Sequence, residues 1–287
     1  MMGKKILITG SNGMLASDLS TVANNIGFQV VGYSHNQLDV TNPTQVSQAI
    51  HSVKPDIVVN TPGISVDECE RYPNNGYLIH SWASGLVART SEQVGATLIY
   101  VSTCGLFGDE VKFYSEYDPV ELKTKYARSK FAGENEARVN CHNTYVIRPG
   151  WLYGGTPNHQ RNFVYQRYLE AKRNSTIKSA IDKYGSPTYT VDLAKCILSL
   201  VETEAYGLYH ITNEGMASRY EYVQSILQAF DLNTHVEGVD SSEFPRASPV
   251  PDCEALANIN LKFLGVEQPP IWQEALQRYV NTLKDLI

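Results

Sequence analysis

The Tyr126 phenol and the Lys130 ammonium stand four residues apart in "TKYARSKFAGENEA", a spacing that lets both act on one small molecule. Four residues make about one α-helical turn, so both side chains leave the same helix face. A free phenol has a pKa of about 10 and is a poor proton exchanger near neutrality, whereas a nearby cation favours its ionised form. Proton transfer by a phenol is the chemistry this pair offers. An amphipathic helix with a snorkelling lysine gives the same pattern. Leu122, Tyr126 and Phe131 supply a partly apolar side, and Glu134 with Arg138 is expected to form an i,i+4 ion pair.

A second chemical signal is the loop "ITGSNGMLA". Gly10 and Gly13 allow the tight turn and close backbone approach that a pyrophosphate needs at a helix N-terminus. Ala16 stands at the third small position. Gly10, Asn12, Gly13, Met14 and Leu15 are therefore assigned to a dinucleotide. At the end of the next apolar run, "GYSHNQ" places Ser34 and His35 where an acidic residue would grip the ribose and repel a 2′-phosphate. With no carboxylate there, NADPH is favoured over NADH. Asp39 and Val40 are expected beside the adenine.

These groups need elements to position them. "KILIT" precedes a helical spacing of Leu15, Leu19, Val22 and Ile26 that Gly27 ends. There follow "FQVVGY", a helix opened by Asn42-Pro43, "DIVVN", a helix over about 74–93, "TLIYVS", the Tyr126 helix and "TYVIRP". Apolar strands alternating with helices indicate a doubly wound parallel α/β sheet of the Rossmann type, covered on both faces. Ligands of such sheets bind beyond the carboxyl ends of the strands. After residue 150 the pattern loosens. "NFVYQRYLEAKRN" and "SRYEYVQSILQAF" read as helices and "GLYHITN" as a strand. Residues 1–150 are expected to form the dinucleotide-binding domain, with return segments near 184–215. Residues 151–287 mainly form a smaller interleaved α/β substrate lobe.

The chain has 287 residues, 43% hydrophobic and 19% charged, enough for a full globular core. A net charge of -6 without a basic cluster argues against nucleic acid. No apolar run approaches the roughly 18 residues of a membrane span, so a cytoplasmic protein is expected. Five cysteines without a C-x-x-C pair indicate buried thiols rather than disulfides or zinc, and no metal is called for.

"TGSNGMLA", "STCGLFG" and "YARSK" stand in the order and spacing of extended short-chain dehydrogenase/reductases. "LDVTNPTQV", "KPDIVVNTPGISVDECE", "VIRPGWLYG", "YGSPTYTVDLA" and "GLYHITNEGMASRYEY" resemble the dTDP-4-dehydrorhamnose reductase branch, from residue 6 to about 225. The resemblance implies that Tyr126 protonates a substrate carbonyl as hydride arrives. Lys130 holds the nicotinamide ribose and lowers the tyrosine pKa, and Thr103 hydrogen-bonds the carbonyl, with Ser102 as the fallback. It also implies that Thr61, Pro62 and Gly63 line the cofactor. Cys104, Trp151 and Asn162 then border the sugar nucleotide, and Asp192 is structural.

The sequence departs from that pattern where Cys104 and Gly105 stand in place of the usual tyrosine and carboxylate, and where His80 replaces a helix asparagine. His80 is read as a satisfied core histidine. The expected activity is NAD(P)H-dependent reduction of the keto group, at C4, of a nucleotide-activated 4-keto-6-deoxysugar for surface polysaccharide or a glycosylated metabolite. A homodimer through helices near 75–93 and 120–139 is expected with it. The rival readings are an epimerase with tightly retained NAD, and a non-catalytic dinucleotide-binding subunit resembling the regulatory subunit of methionine adenosyltransferase.

Overall fold

A computed structural model of the chain describes residues 3–287; Met1 and Met2, part of the N-terminal stretch read above, lie outside it. Its centre is a six-stranded sheet. Strands β1 (Lys5–Thr9), β2 (Gln29–Tyr33), β3 (Ile57–Asn60), β4 (Thr97–Val101) and β5 (Thr144–Pro149) are joined by a last strand, Gly207–Ile211. The spatial order is β2, β1, β3, β4, β5 and then Gly207–Ile211, with every neighbouring pair parallel. The order reverses between β1 and β3, which opens a crevice at their carboxyl ends.

Strand alternation divides the apolar residues between two layers. Ile6, Ile8, Val59, Ile99 and Ile147 face helix α1 (Met14–Asn25) and the helix Thr190–Val201. Leu7, Val58, Leu98, Tyr100 and Val146 face α2 (Pro43–Val53), α5 (Ala83–Gln93) and α6 (Lys125–Asn140). Local chemistry sets the helix ends. Asn42 caps α2 by accepting from the Thr44 and Gln45 amides, with Pro43 in the first turn. In α1 the buried stripe is Leu15, Ala16, Leu19 and Ala23, and Ile26 lies exposed just past the helix, so it does not extend the apolar face.

The helix expected over about 74–93 is broken. Two short helices, α3 (Val66–Arg71) and α4 (Pro73–Tyr77), lead into a π turn, Leu78–Trp82, before α5 begins. A π turn inserts an extra residue and shifts the facing side chains. Here it turns His80 inward, where it is fully buried.

Beyond residue 150 the chain builds a second apolar cluster. Trp151, Tyr153, Tyr222, Trp272 and Tyr279 pack with the helices Phe163–Ala171, Arg219–Ala229 and Trp272–Lys284. Short strands brace it, among them Tyr184–Gly185 between Ala217–Ser218 and Cys253–Glu254. The return to the sheet goes further than 184–215, because Leu261 also belongs to the layer packed on β1 and β3. All five cysteines are buried free thiols. Among the described residues no helix is long and apolar enough to cross a membrane.

Candidate active site

Helix α6 starts where the Thr124 hydroxyl accepts from the Ala127 amide, at 2.9 Å. That start aims Tyr126 and Lys130 at the carboxyl end of β4. The Lys130 ammonium donates to the Val101 carbonyl at 2.6 Å and lies 4.6 Å from the Tyr100 ring centroid. Burial lowers its pKa to about 8, with Glu134 opposing the shift. Burial pushes the Tyr126 phenol well above its usual value, and a hydrogen bond with the Thr103 hydroxyl opposes this only in part. The ammonium is bonded to a carbonyl, and desolvation of the phenolate dominates.

Thr103 is buried, and its Oγ1 accepts from the Gly105 amide at 3.1 Å. Ser102, one residue earlier, points the other way, into a buried ion pair. There Glu134 receives the Ser102 hydroxyl and a two-pronged contact from Arg148, Nε at 2.8 Å and Nη2 at 2.7 Å. Ser102 is thus corrected from substrate ligand to internal strut. The expected Glu134–Arg138 surface pair is likewise replaced by this buried Glu134–Arg148 pair.

His80 packs edge-on to Tyr126, ring centroids 5.3 Å apart. Its Nε2 accepts from the Ile64 amide at 3.2 Å, which leaves Nδ1–H to donate to the Ser129 hydroxyl at 2.8 Å. Ser129 in turn donates to the Tyr126 carbonyl at 2.9 Å. Burial, with Lys130 adding to it, holds the His80 pKa down at about 2, so the ring is neutral with both nitrogens engaged.

On the other side of the crevice, Gly10 has φ +73, and a Cβ there would stand 2.8 Å from Thr61 Oγ1 and 3.3 Å from the Pro62 nitrogen. Thr61 donates to the Thr9 carbonyl at 2.6 Å, fixing this close approach. Helix α1 has neither a side-chain cap nor an acidic residue in its first turn, so its N-terminal amides are open to an anion. Leu15 and Val40 have buried side chains, leaving their backbone for any ligand. Gly63 abuts His80, a Cβ falling 3.3 Å from Nε2. Ser34 is tied to Gln37, its hydroxyl donating at 2.8 Å, and His35 is exposed. Asp39 accepts from the Thr41 hydroxyl at 2.7 Å and the Thr41 amide at 2.9 Å, which lowers its pKa.

The profile of one protein family, described as the RmlD substrate binding domain, matches residues 4–285. The chain belongs to this family. The match runs through the C-terminal residues, past the point near 225 where the motifs thin out. The spore coat polysaccharide biosynthesis protein SpsK of Bacillus subtilis is 31% identical over 279 residues, 96% of this chain and 97% of that protein. The dTDP-4-dehydrorhamnose reductase of Mycobacterium tuberculosis (strain H37Rv) is 30% identical over 282 residues, 95% of this chain and 91% of that one. A crystal structure of dTDP-4-dehydrorhamnose reductase from Bacillus anthracis in complex with NADP superposes with a TM-score of 0.93 at 31% identity. It covers 98% of this chain and 100% of that one.

In this RmlD-type chain the second lobe brings residues to the pocket that sequence reasoning missed. Arg219 lies flat on Trp151, its Cζ 3.4 Å from the ring centroid, and 5.2 Å from that of Phe163. It makes no ion pair or side-chain hydrogen bond among the described residues. Burial lowers its pKa, with Glu254 opposing, yet a guanidinium stays charged. Glu254 accepts from Trp151 Nε1 at 2.6 Å. Cys104 is buried beside them, and burial raises its thiol pKa. Asn162 requires a correction. It is fully buried, its Oδ1 caps the helix Phe163–Ala171 through the Tyr165 amide at 3.2 Å, and its Nδ2 is bonded to Tyr279. Both ends of the amide serve the fold, and none is left for substrate. Asp192 binds Arg278 through both oxygens, at 3.0 and 2.7 Å, and accepts from Asn213.

Proposed function

We propose that the protein reduces the keto group, at C4, of a nucleotide-activated 4-keto-6-deoxysugar, with NADPH as the favoured cofactor. The observation that carries this reading is the grouping of Thr103, Tyr126 and Lys130 at the end of β4, across the crevice from the uncapped N-terminus of α1. The bound dinucleotide supplies hydride. The uncapped start of α1 at Asn12, Met14 and Leu15 would hold its pyrophosphate, with Gly10 and Gly13 giving it room, while Ser34 and His35 would hold its adenosine ribose, and Asp39 and Val40 its adenine. Thr61, Pro62 and Gly63 border the nicotinamide side. Lys130 holds the ribose hydroxyls. Thr103 donates to the substrate carbonyl, and Tyr126 delivers the proton to its oxygen. The absence of a carboxylate at the end of β2 supports NADPH. Arg219, a cation stacked on an aromatic plate and without a direct ion pair among the described residues, suits the substrate diphosphate.

Residues 1–150 with the returning strand act as the cofactor domain, and most of 151–287 as the sugar-nucleotide lobe. Tyr72, Tyr77, Leu78 and Trp82 lie exposed along α4 and the π turn, at 60, 40, 42 and 51%, which supports a homodimer formed through this face. Unpaired thiols suit a cytoplasmic site of action.

The deciding experiment follows NADPH absorbance, with NADH in parallel, against dTDP- and UDP-linked 4-keto-6-deoxysugars. Turnover with one sugar that is lost in Tyr126→Phe supports the reading. Silence across the set, with NADPH binding established by fluorescence, overturns it.

A further inference from the structure

The loop after β4 and the strand Cys253–Glu254 meet at one point. A Cβ built on Gly105 would stand 3.0 Å from Glu254 Oε1 and 3.6 Å from Thr103 Oγ1. The carboxylate therefore occupies the space that a side chain at position 105 would take, beside the threonine assigned to the substrate carbonyl. Its other oxygen, Oε2, is engaged by Trp151 Nε1 at 2.6 Å, which fixes the direction of the group. Oε1 has no hydrogen-bond partner among the described residues. Glu254 also lies close enough to Tyr126, Cys104 and Arg219 to influence their ionisation, so it belongs to the pocket.

An oriented carboxylate oxygen without a partner is an acceptor waiting for a donor. We infer that Glu254 is a specificity-determining residue of this site: its Oε1 accepts a hydrogen bond from the hydroxyl on the sugar carbon adjacent to the carbonyl, and Gly105 provides the room for it. In a 4-keto-6-deoxysugar the neighbouring hydroxyl-bearing carbon is C3. Neighbouring oxygens on a sugar ring lie close together, so a carbonyl oxygen held by Thr103 and Tyr126 brings the C3 hydroxyl within reach of Oε1. Lack of a side chain at Gly105 and a carboxylate from a distant strand thus act as a matched pair. This inference rests on the reductase reading above.

The test compares kcat/KM, with NADPH, for the 4-keto-6-deoxysugar turned over in the set above and its 3-deoxy counterpart. The wild type is expected to favour the 3-hydroxy sugar about tenfold or more, the effect of a hydrogen bond to a charged group. Glu254→Gln keeps an acceptor for Trp151 and removes the charge, and is expected to lose most of that preference through a raised KM on the 3-hydroxy sugar alone. Gly105→Tyr, which displaces the same carboxylate, is expected to erase the preference too, with NADPH affinity serving as the check that each variant is folded. An equal loss on both sugars assigns Glu254 a structural role and overturns the inference, as does an unchanged preference in both variants. A wild type silent across that whole set overturns the reductase reading and the inference with it, so the two failures are distinguishable.

Discussion

Lys130 holds its proton less tightly than an exposed lysine, because burial removes water from the ammonium and Glu134 compensates only in part. Its folded pKa of about 8 lies below the unfolded value of about 10.4. The charged form is the one the fold disfavours, so this residue costs stability in full below pH 8 and the cost is relieved as pH rises toward the unfolded value. Activity runs in the opposite direction. If the ammonium holds the ribose, kcat/KM for NADPH should fall as pH climbs through about 8, and Lys130→Met should flatten that limb while weakening cofactor binding. A pH profile of both proteins checks this. His80 should contribute no limb, since its pKa is near 2. His80→Leu leaves the Ile64 amide without its partner, while the Ser129 hydroxyl keeps its bond to the Tyr126 carbonyl, and should destabilise the protein by about 1–3 kcal/mol for the unpaired amide, read by denaturant unfolding. Tyr126 and Lys130 were legible because they share one helix, and their spacing survives in a linear reading. Arg219 and Glu254 were not, because folding alone brings them beside Thr103 from strands and helices far along the chain.

Between elements, the strongest tie at the site is the Glu134–Arg148 pair joining α6 to β5, with both side chains 4% exposed. Removing one partner strands the other charge in the interior. Glu134→Gln is therefore expected to cost about 3–5 kcal/mol, measured by urea unfolding, and replacing both with apolar residues much less. The i,i+4 rule pointed to Arg138 instead. That rule describes an exposed helix face, and Glu134 lies on a buried one where β5 offers a better partner. Gly133 shows the same closeness from the other side, since a Cβ there would collide with the His80 carbonyl and the Tyr100 hydroxyl. Gly133→Ala should separate α6 from the π turn and lower kcat as well as melting temperature. The π turn itself left no trace in the sequence, because apolar periodicity continues through it and only packing against α6 reveals the extra residue.

At the scale of the whole molecule, the first five strands were legible because strands buried on both faces are apolar throughout, while the second lobe was blurred by short strands of two or three residues that carry no period. The strand Gly207–Ile211 could be read, yet its place at the sheet edge depends on a crossing of the chain that only the fold shows. A fragment of residues 1–150 lacks that strand and the helix Thr190–Val201 that covers α1, so it is expected to expose apolar surface and bind a hydrophobic dye, unlike the full chain. This late return also has a consequence for synthesis on the ribosome. The edge of β5 is finished when residue 149 emerges, but its partner is not available until residue 211. At roughly 5–20 residues per second, the nascent chain carries an open strand edge for several seconds. During that interval the chain presents an unpaired strand edge that the finished protein no longer has.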